Sequence, residues 1–394
     1  MSFTRDLRKV LRDNIRDFGM YIALFAIWII FAITTNGLFL SPRNLSNLLN
    51  QTGYIAVLAV GMTLVIVIRH IDLSVGFLAG FLGAVAAIMM MNWGLPAYLV
   101  IPLVLGLGIL AGMLTATPVA LLGIPSFVAS LAGWLIYRGL LGVVTAGSGT
   151  IIIADAFYNA IGNGFIPDFL GDVFLPGVHK LTLLLGLIAI ILYIRSAISA
   201  RKKKQAYHFE VLPKQIFILQ LVLLSILIAG LTWVLAEYNG LSWTVVVVLI
   251  VVGVYQFITT QTVLGRHIYA VGGNPEAAGL SGINVKRITF TVFASMGMLS
   301  ALSGILFSSR LQSATTTAGQ LFELDAIAAA YVGGVSAAGG VGSVVGSLIG
   351  ALVMLSLTSG MNLMGVDANL QYIVRGLVLA AAVIFDVTTR KSAK

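Results

Sequence analysis

Long uncharged stretches of this chain alternate with short clusters of charge. No Asp, Glu, Lys or Arg falls within Phe18–Pro42, Asn44–Ile68, Gln215–Ala236, Tyr238–Gly265, Ile288–Ser309 or Ala326–Val366. Leu73–Tyr137 runs for 65 residues without any of these or His. A membrane-crossing helix needs about 20 apolar residues, so that stretch alone holds about three. Backbone amides cannot go unpaired in hydrocarbon, so such runs must be helices, or interrupted helices covered by protein. A transmembrane barrel would alternate apolar and polar positions, and no alternation is visible. The pattern predicts spans near residues 18–40, 47–69, 74–92, 95–117, 126–145, 180–198, 215–235, 243–260, 288–309 and 370–386. The uncharged 326–366 must either cross twice or re-enter once and then span. The expected fold is an all-α polytopic membrane protein of about 10–12 transmembrane helices, some of them broken or re-entrant. It divides into an N-terminal segment 1–17, a membrane body 18–387 and a tail 388–394. Within the body lie an extra hairpin near 180–235 and a polar segment at 261–287.

Composition agrees. Hydrophobic residues make up 59% of the chain and charged residues 9%, against roughly 25% charged in soluble domains. The net charge of +9 would suit a nucleic-acid binder, but its distribution argues otherwise. Seventeen of the 23 Lys and Arg fall in four places: before the first span, around 195–214, within 261–287, and at the end of the chain. Positive charge near span ends favours the cytoplasm, and an even number of predicted spans separates each pair of clusters, so both termini are expected to be cytoplasmic. Arg201–Lys204 reads as a topology determinant. The first apolar run is too long for a signal peptide and no small-residue cleavage site follows it. Cysteine is absent, which excludes disulfides, a thiolate nucleophile and thiolate metal ligands.

Some positions carry more than lipid-facing bulk. Gly76, Gly80 and Gly83-Ala84 repeat at helical spacing after Asp72-Leu73-Ser74, and so do Gly342, Gly346 and Gly350-Ala351. Such faces let helix backbones approach closely, and the likeness of 74–88 to 343–355 hints at an internal repeat. Gly333, Gly334, Gly339 and Gly340 would break a helix in a segment too long for one span, so this region, with Ser336 and Ser343, is a candidate pathway lining. Arg69-His70-Ile71-Asp72 is a charged cluster between uncharged runs. Asp72 either caps the next helix and pairs with Arg69, or serves the pathway or its gating together with Ser74 and Gly76. Glu323 and Asp325 suit a helix N-terminus, and Arg375 is expected to snorkel outward from the last span. Ser74, Thr115, Ser126 and Ser343 could line a low-affinity path or simply pack helices. No aromatic-plus-carboxylate cluster is apparent within the spans, so selectivity is expected to lie mostly elsewhere.

The segment 261–287 contains a helix signal of its own. Asn274 is a good N-cap, Pro275 suits the first helical position, Glu276 complements the dipole, and Gly282 is a natural stop. Two turns alone are marginal in water, which makes sense if the piece docks in a groove on a partner. Gly272, Gly273, Asn274, Pro275, Glu276, Ala277, Ala278, Leu280, Ser281 and Gly282 are therefore candidates for contact with a partner, which an ATP-driven importer would require to be its ATPase. The chain has no G-x-x-x-x-G-K-[ST] loop, so ATP and Mg would be held by that partner and the chain is expected to be non-catalytic.

The stretches GMTLVIVIRHIDLSVG (61–76), IPSFVASLAGWLIYRG (124–139), GRHIYAVGGNPEAAGLSGINV (265–285) and ELDAIAAAYVGGVSAAGGVGSVVGSLIGAL (323–352) resemble the ribose/xylose/galactose-type permeases of bacterial ABC importers. The resemblance covers most of 40–390 and extends to the longer xylose and multiple-monosaccharide members, whose middle stretch is similar to 180–235. It implies an inner-membrane homodimer of permeases. A cytoplasmic ATPase pair would dock at 270–284, and a periplasmic sugar-binding protein would touch 146–179 and 311–325 outside. No cofactor is expected on the chain itself. An ion-coupled secondary transporter would need intramembrane Asp, Glu or His relays, which the 65-residue uncharged run disfavours. A channel would need no isolated cytoplasmic helix. An intramembrane enzyme fares worst, with no H-E-x-x-H and four scattered His. Permeases for branched-chain amino acids or autoinducers share the general architecture.

Overall fold

The computed structural model describes residues 15–146, 149–170, 176–209, 211 and 213–391. The segment 1–17 up to residue 14, with its basic residues Arg5, Arg8, Lys9 and Arg12, and tail residues 392–394 lie outside the described residues. In chain order the helices are α1 (Ile15–Thr34), α2 (Pro42–Val67), α3 (Val75–Met91), α4 (Ala97–Leu122), α5 (Ser126–Thr145), α6 (Ala156–Asn163), α7 (Lys180–Ala206) and α8 (Lys214–Ala236). They continue as α9 (Trp243–Gln261), α10 (Val263–Gly273), α11 (Pro275–Leu280), α12 (Val285–Leu311), α13 (Phe322–Val332), α14 (Val344–Leu363) and α15 (Ala368–Lys391). Two three-residue strands, β1 (Thr150–Ile152) and β2 (Ser313–Thr315), pair antiparallel with Thr150 opposite Thr315. Among the described residues nine helices are long and apolar enough to cross a membrane, and two shorter apolar helices, Gly19–Thr34 and Val75–Met91, accompany them. This is an all-α polytopic membrane protein.

The chain divides into two units. Among the described residues the first comprises Ile15–Gly19, Leu40–Asn47 and the described part of Phe165–Ser242. Its body is the antiparallel pair α7–α8. Gly186 packs flat on Thr232, the Arg201 guanidinium lies 4.7 Å above the Phe217 ring, and the His179 amide donates to Ala236 O at 2.9 Å. His179 also caps α7, accepting from Thr182 N–H, while Asp168 accepts from Lys180 N–H at 2.7 Å.

The second unit comprises Met20–Phe39, Leu48–Gly164 and Trp243–Lys391. Its core is a set of helix backbones in near contact. A Cβ on Gly112 would overlap the Phe293 carbonyl, one on Gly297 the Gly108 carbonyl, and one on Gly304 the Ala79 carbonyl. Lipid supplies no hydrophobic force between helices, so this close packing is what holds them together. The contacts also give directions. α4 runs antiparallel to α12, and α3 runs alongside the second half of α12 toward the β1–β2 pair.

Both α3 and α13 therefore start inside the bundle. The first turn of α3 meets the chain entering α13, since a Cβ on Gly76 would collide with Glu323 and lie 2.5 Å from Gly319 O. α13 then runs the opposite way, antiparallel to α14, with Ala329 against Gly350 and Gly333 against Gly346. At 1.5 Å per residue, α13 is about 16 Å long, half of a hydrocarbon core of about 30 Å. The stretch 326–366 holds one short helix and one helix long and apolar enough to span. The motif of long helix, unwound stretch, short helix and long helix occurs twice, as α2-α3-α4 and α12-α13-α14, with the short members running in opposite directions. Interrupted helices of this kind require cover by protein, and residues 326–330 of α13 are all buried.

The seam between α4 and α12 sets a test of stability. Gly112→Leu forces two backbones apart and is expected to cost about 1–3 kcal/mol or more, lowering the melting temperature in detergent. Gly106→Ala, on the same helix with nothing within 4 Å of its Cβ, should leave it unchanged or raised. Equal effects from the two would contradict the packing described here.

Candidate functional site

Segment 261–287 holds two helices, α10 and α11, where the sequence pattern suggested one. Each helix in this region starts on its own side-chain cap. Thr262 Oγ1 accepts from Gly265 N–H at 3.2 Å, Asn274 Oδ1 from Ala277 N–H at 3.1 Å, and Asn284 Oδ1 from Arg287 N–H at 2.9 Å. Pro275 occupies the first position of α11 and Glu276 its first turn. Gly282, at φ +85°, supplies the left-handed residue that ends it. Gly272 and Gly273, expected to flank a helix, are instead the last two residues of α10. α11 buries only Ala278 and leaves Leu280 92% exposed, so a large apolar side chain stands out from a short, well-capped helix.

The back of this segment is tied to the bundle by Arg69. α2 ends in a Schellman turn, with Arg69 N–H donating to Ile66 O at 2.9 Å and His70 N–H to Val65 O at 3.0 Å. That turn needs a left-handed residue, normally glycine, and Arg69 fills it at φ +66°, at a cost of about 1–2 kcal/mol. Its side chain explains the exception. Nε donates to Gly272 O at 2.7 Å and Nη2 to Gly273 O, so a cation meets the free carbonyls at the C-terminus of α10. The carbonyl of Val67 accepts from Gly340 N–H at 2.8 Å. A Cβ on Gly272 would overlap Val67 O and lie 2.7 Å from Gly340 N. Gly339 and Gly340 take φ +80° and +72°, which lets the 333–343 turn lie directly on α10. Tyr269 Oη donates to Gly342 O at 2.8 Å, and Asp386 accepts from Ser336 Oγ and Ala337 N–H, both at 3.2 Å.

The remaining candidates gather where α3 and α13 begin. Asp72 is 2% exposed, and its Oδ1 accepts from both Ser74 N–H at 2.9 Å and Ser74 Oγ at 2.6 Å. It is therefore a turn-forming residue. The cap position of α3 belongs to Ser74, and Arg69 is committed to α10, so both structural roles expected for Asp72 are corrected. Ser126 Oγ accepts from Ile71 N–H at 3.1 Å and Thr115 donates to Ala111 O at 3.3 Å. Ser343 caps α14 through Gly346 N–H at 3.2 Å. Gly333 and Gly334 close α13. The expected pathway set thus splits between the bundle centre (Asp72, Ser74, Gly76) and the Arg69 end (Gly333, Gly334, Ser336, Gly339, Gly340, Ser343).

Three further expectations change. Arg375 does not snorkel: Nη1 pairs with Asp325 Oδ2 at 3.3 Å, with both side chains largely shielded. Glu323 lies in the first turn of α13 as expected, but the cap residue is Leu321, without a side-chain bond. Glu323 instead accepts from Trp134 Nε1 at 3.0 Å while its other oxygen is buried without a partner. An aromatic-plus-carboxylate pair therefore does exist within the helices, joined across 189 residues of sequence, a separation no local pattern could bridge. Finally, of the stretch 311–325 expected on the outer surface, Ala318 and Glu323 are buried at 4% exposure. Among the described residues no cluster of three or more His, Asp or Glu could hold a metal ion.

Comparison with known proteins adds to this geometry. Residues 44–383 match the family described as branched-chain amino acid transport system / permease component. The xylose transport system permease protein XylH of Escherichia coli (strain K12) is 40% identical over 380 residues, covering 96% of this chain and 93% of that protein. XylH of Haemophilus influenzae is 39% identical over 383 residues, covering 97% and 99%. The ribose import permease protein RbsC of Haemophilus influenzae is 36% identical over 370 residues, covering 92% of each chain. No solved structure matches. With a match across most of its length, this chain belongs to the ABC-importer permease-component family.

Proposed function

We propose that this chain is the translocating subunit of an ATP-driven monosaccharide importer of the bacterial inner membrane, with xylose or a related pentose or hexose as cargo. In this reading it works as a homodimer with cytoplasmic termini. A separate ATPase holds ATP and Mg, and a periplasmic binding protein delivers the sugar. The names of the xylose and ribose relatives support the cargo class. The observation that carries the mechanism is the exposed, capped α11 with Leu280 at its tip, backed by the Arg69 bonds to α10. An isolated helix in water is marginal. One that presents a lone leucine is suited to a groove on a partner, and its rigid attachment lets a push on α11 reach α2 and the 333–343 turn. Alternating access follows if that push shifts the equilibrium between inward- and outward-open packings, which are discrete because close-packed interfaces are bistable.

The test is uptake of labelled xylose by vesicles holding the chain with its ATPase and loaded binding protein. Glu276→Lys combined with Gly273→Pro should abolish uptake and ATPase association while membrane insertion persists. Leu280→Asp alone should weaken ATPase association by about 2 kcal/mol, roughly thirtyfold. Unchanged uptake in these variants, or uptake driven by an ion gradient without the ATPase, would contradict the reading. The matched family's description names branched-chain amino acids. Excess leucine should nevertheless leave uptake unaffected, whereas competition by leucine would transfer the cargo to that class.

Arg69 predicts a different phenotype. Arg69→Gln removes charge-assisted bonds worth about 1.5–3 kcal/mol each without touching the docking face. ATPase association should persist while uptake per ATP hydrolysed falls about tenfold or more. Arg69→Lys should recover part of the loss. Wild-type coupling in Arg69→Gln would show that the clamp transmits nothing.

A further inference from the structure

The α5 helix carries a charge that a lipid-facing helix should not. Arg138 is exposed, seven residues before the end of α5 at Thr145, which places it about 10 Å inside the helix end. A snorkelling arginine would extend toward that end. This one turns back: its guanidinium lies 5.3 Å from the Trp134 ring, one turn deeper, and 5.8 Å from the Phe77 ring in the first turn of α3. Among the described residues no carboxylate lies within ion-pairing distance of it. An intramembrane cation held at depth without an acidic partner marks a face that meets water or a polar solute, not hydrocarbon.

The surroundings define the solute. Trp134 is half-buried, stands edge-on to Phe77 at 4.8 Å, and donates its indole N–H to Glu323. Glu323 sits in the first turn of α13 and against the first turn of α3, so its carboxyl group faces the positive ends of two helices. The site thus holds one acidic and one basic side chain, which leaves an ionic ligand no net charge to neutralise. What remains open is part of the Trp134 indole and a planar guanidinium with five donors, suited to the C–H bonds and hydroxyl groups of a neutral polyol.

We propose that Trp134 and Arg138, positioned by Phe77 and Glu323, form a contact point for the sugar inside the translocation path. This inference deepens the importer reading and rests on it for the identity of the solute. The path runs past α5 at the level where α3 and α13 begin, and a passing sugar exchanges its water for the guanidinium and the indole. The contact is weak, as passage requires.

The absence of cysteine makes the surface directly testable in the full transporter in proteoliposomes. A single Arg138→Cys should react with a membrane-impermeant sulfonate methanethiosulfonate about tenfold or more faster than Leu192→Cys on α7, because water raises thiolate availability. D-xylose delivered with binding protein and ATP should slow the reaction at 138 alone. In parallel, Trp134→Phe, which keeps a ring and loses the N–H, should cut xylose uptake per ATP about tenfold with ATPase association unchanged. Arg138→Lys should retain more uptake than Arg138→Leu. An unreactive Arg138→Cys, reactivity indifferent to sugar, or wild-type uptake in Trp134→Phe and Arg138→Leu would each overturn the proposal. Failure of the importer reading looks different: wild-type uptake would then proceed without ATP, while the thiol at 138 would still report whether the face is wet.

Discussion

Backbone-to-backbone contact at glycine is the interaction on which this molecule depends. Two helices start inside an apolar bundle, and each leaves unwound chain in a region that cannot solvate it. The 68–74 stretch is covered because Ser126, on α5, accepts from Ile71 N–H and Asp72 binds its own turn. The 316–321 stretch is covered because Gly319 and Ala318 lie directly on Gly76 and Gly80. Side chains at those points would push the interrupted segments away from the protein that satisfies them. The cost of an exposed peptide group in hydrocarbon would then destabilise the fold.

The same device continues to the Arg69 end. Gly272, Gly339 and Gly340 allow the C-terminus of α10, the end of α2 and the 333–343 turn to lie in backbone contact, with Gly340 N–H bonded to Val67 O. Arg69 holds them with a side chain that spans from one helix end to another. A left-handed arginine is a poor local choice and a good global one, since the strain at its backbone is offset by bonds to two carbonyls that would otherwise lack donors. The exposed helix α11 is thereby continuous with the elements that flank both interrupted helices, which is the arrangement a force-receiving segment requires.

Much of this was legible in sequence because it follows from local chemistry. Uncharged runs located the spans to within a few residues, and Asn274-Pro275-Glu276 with Gly282 specified α11. The glycine stripes at 76–83 and 346–350 announced close packing, though not which backbones they would meet. What could not be read was long-range or contrary to propensity. Nothing near Arg69 indicates Gly272 and Gly273, some 200 residues away. Trp134 and Glu323 each look ordinary in their own helices. Arg375 was misplaced because a charged residue in an apolar helix reads as surface-seeking until its shielded partner, Asp325, is known.

The central claim is that α10, α11 and the 333–343 turn move as one body. It is tested most directly by distances between spin labels on single-chain cysteine pairs in the assembled transporter, with and without ATP. The pair Ala270→Cys and Ala337→Cys joins the two sides of the Arg69 clamp, and Ala270→Cys with Trp93→Cys joins α10 to the loop that follows α3. One body predicts a narrow 270–337 distribution that stays in place on ATP binding while the 270–93 distribution shifts. A 270–337 distance that changes with nucleotide as much as 270–93 would show that the clamp opens in each cycle, contradicting the claim.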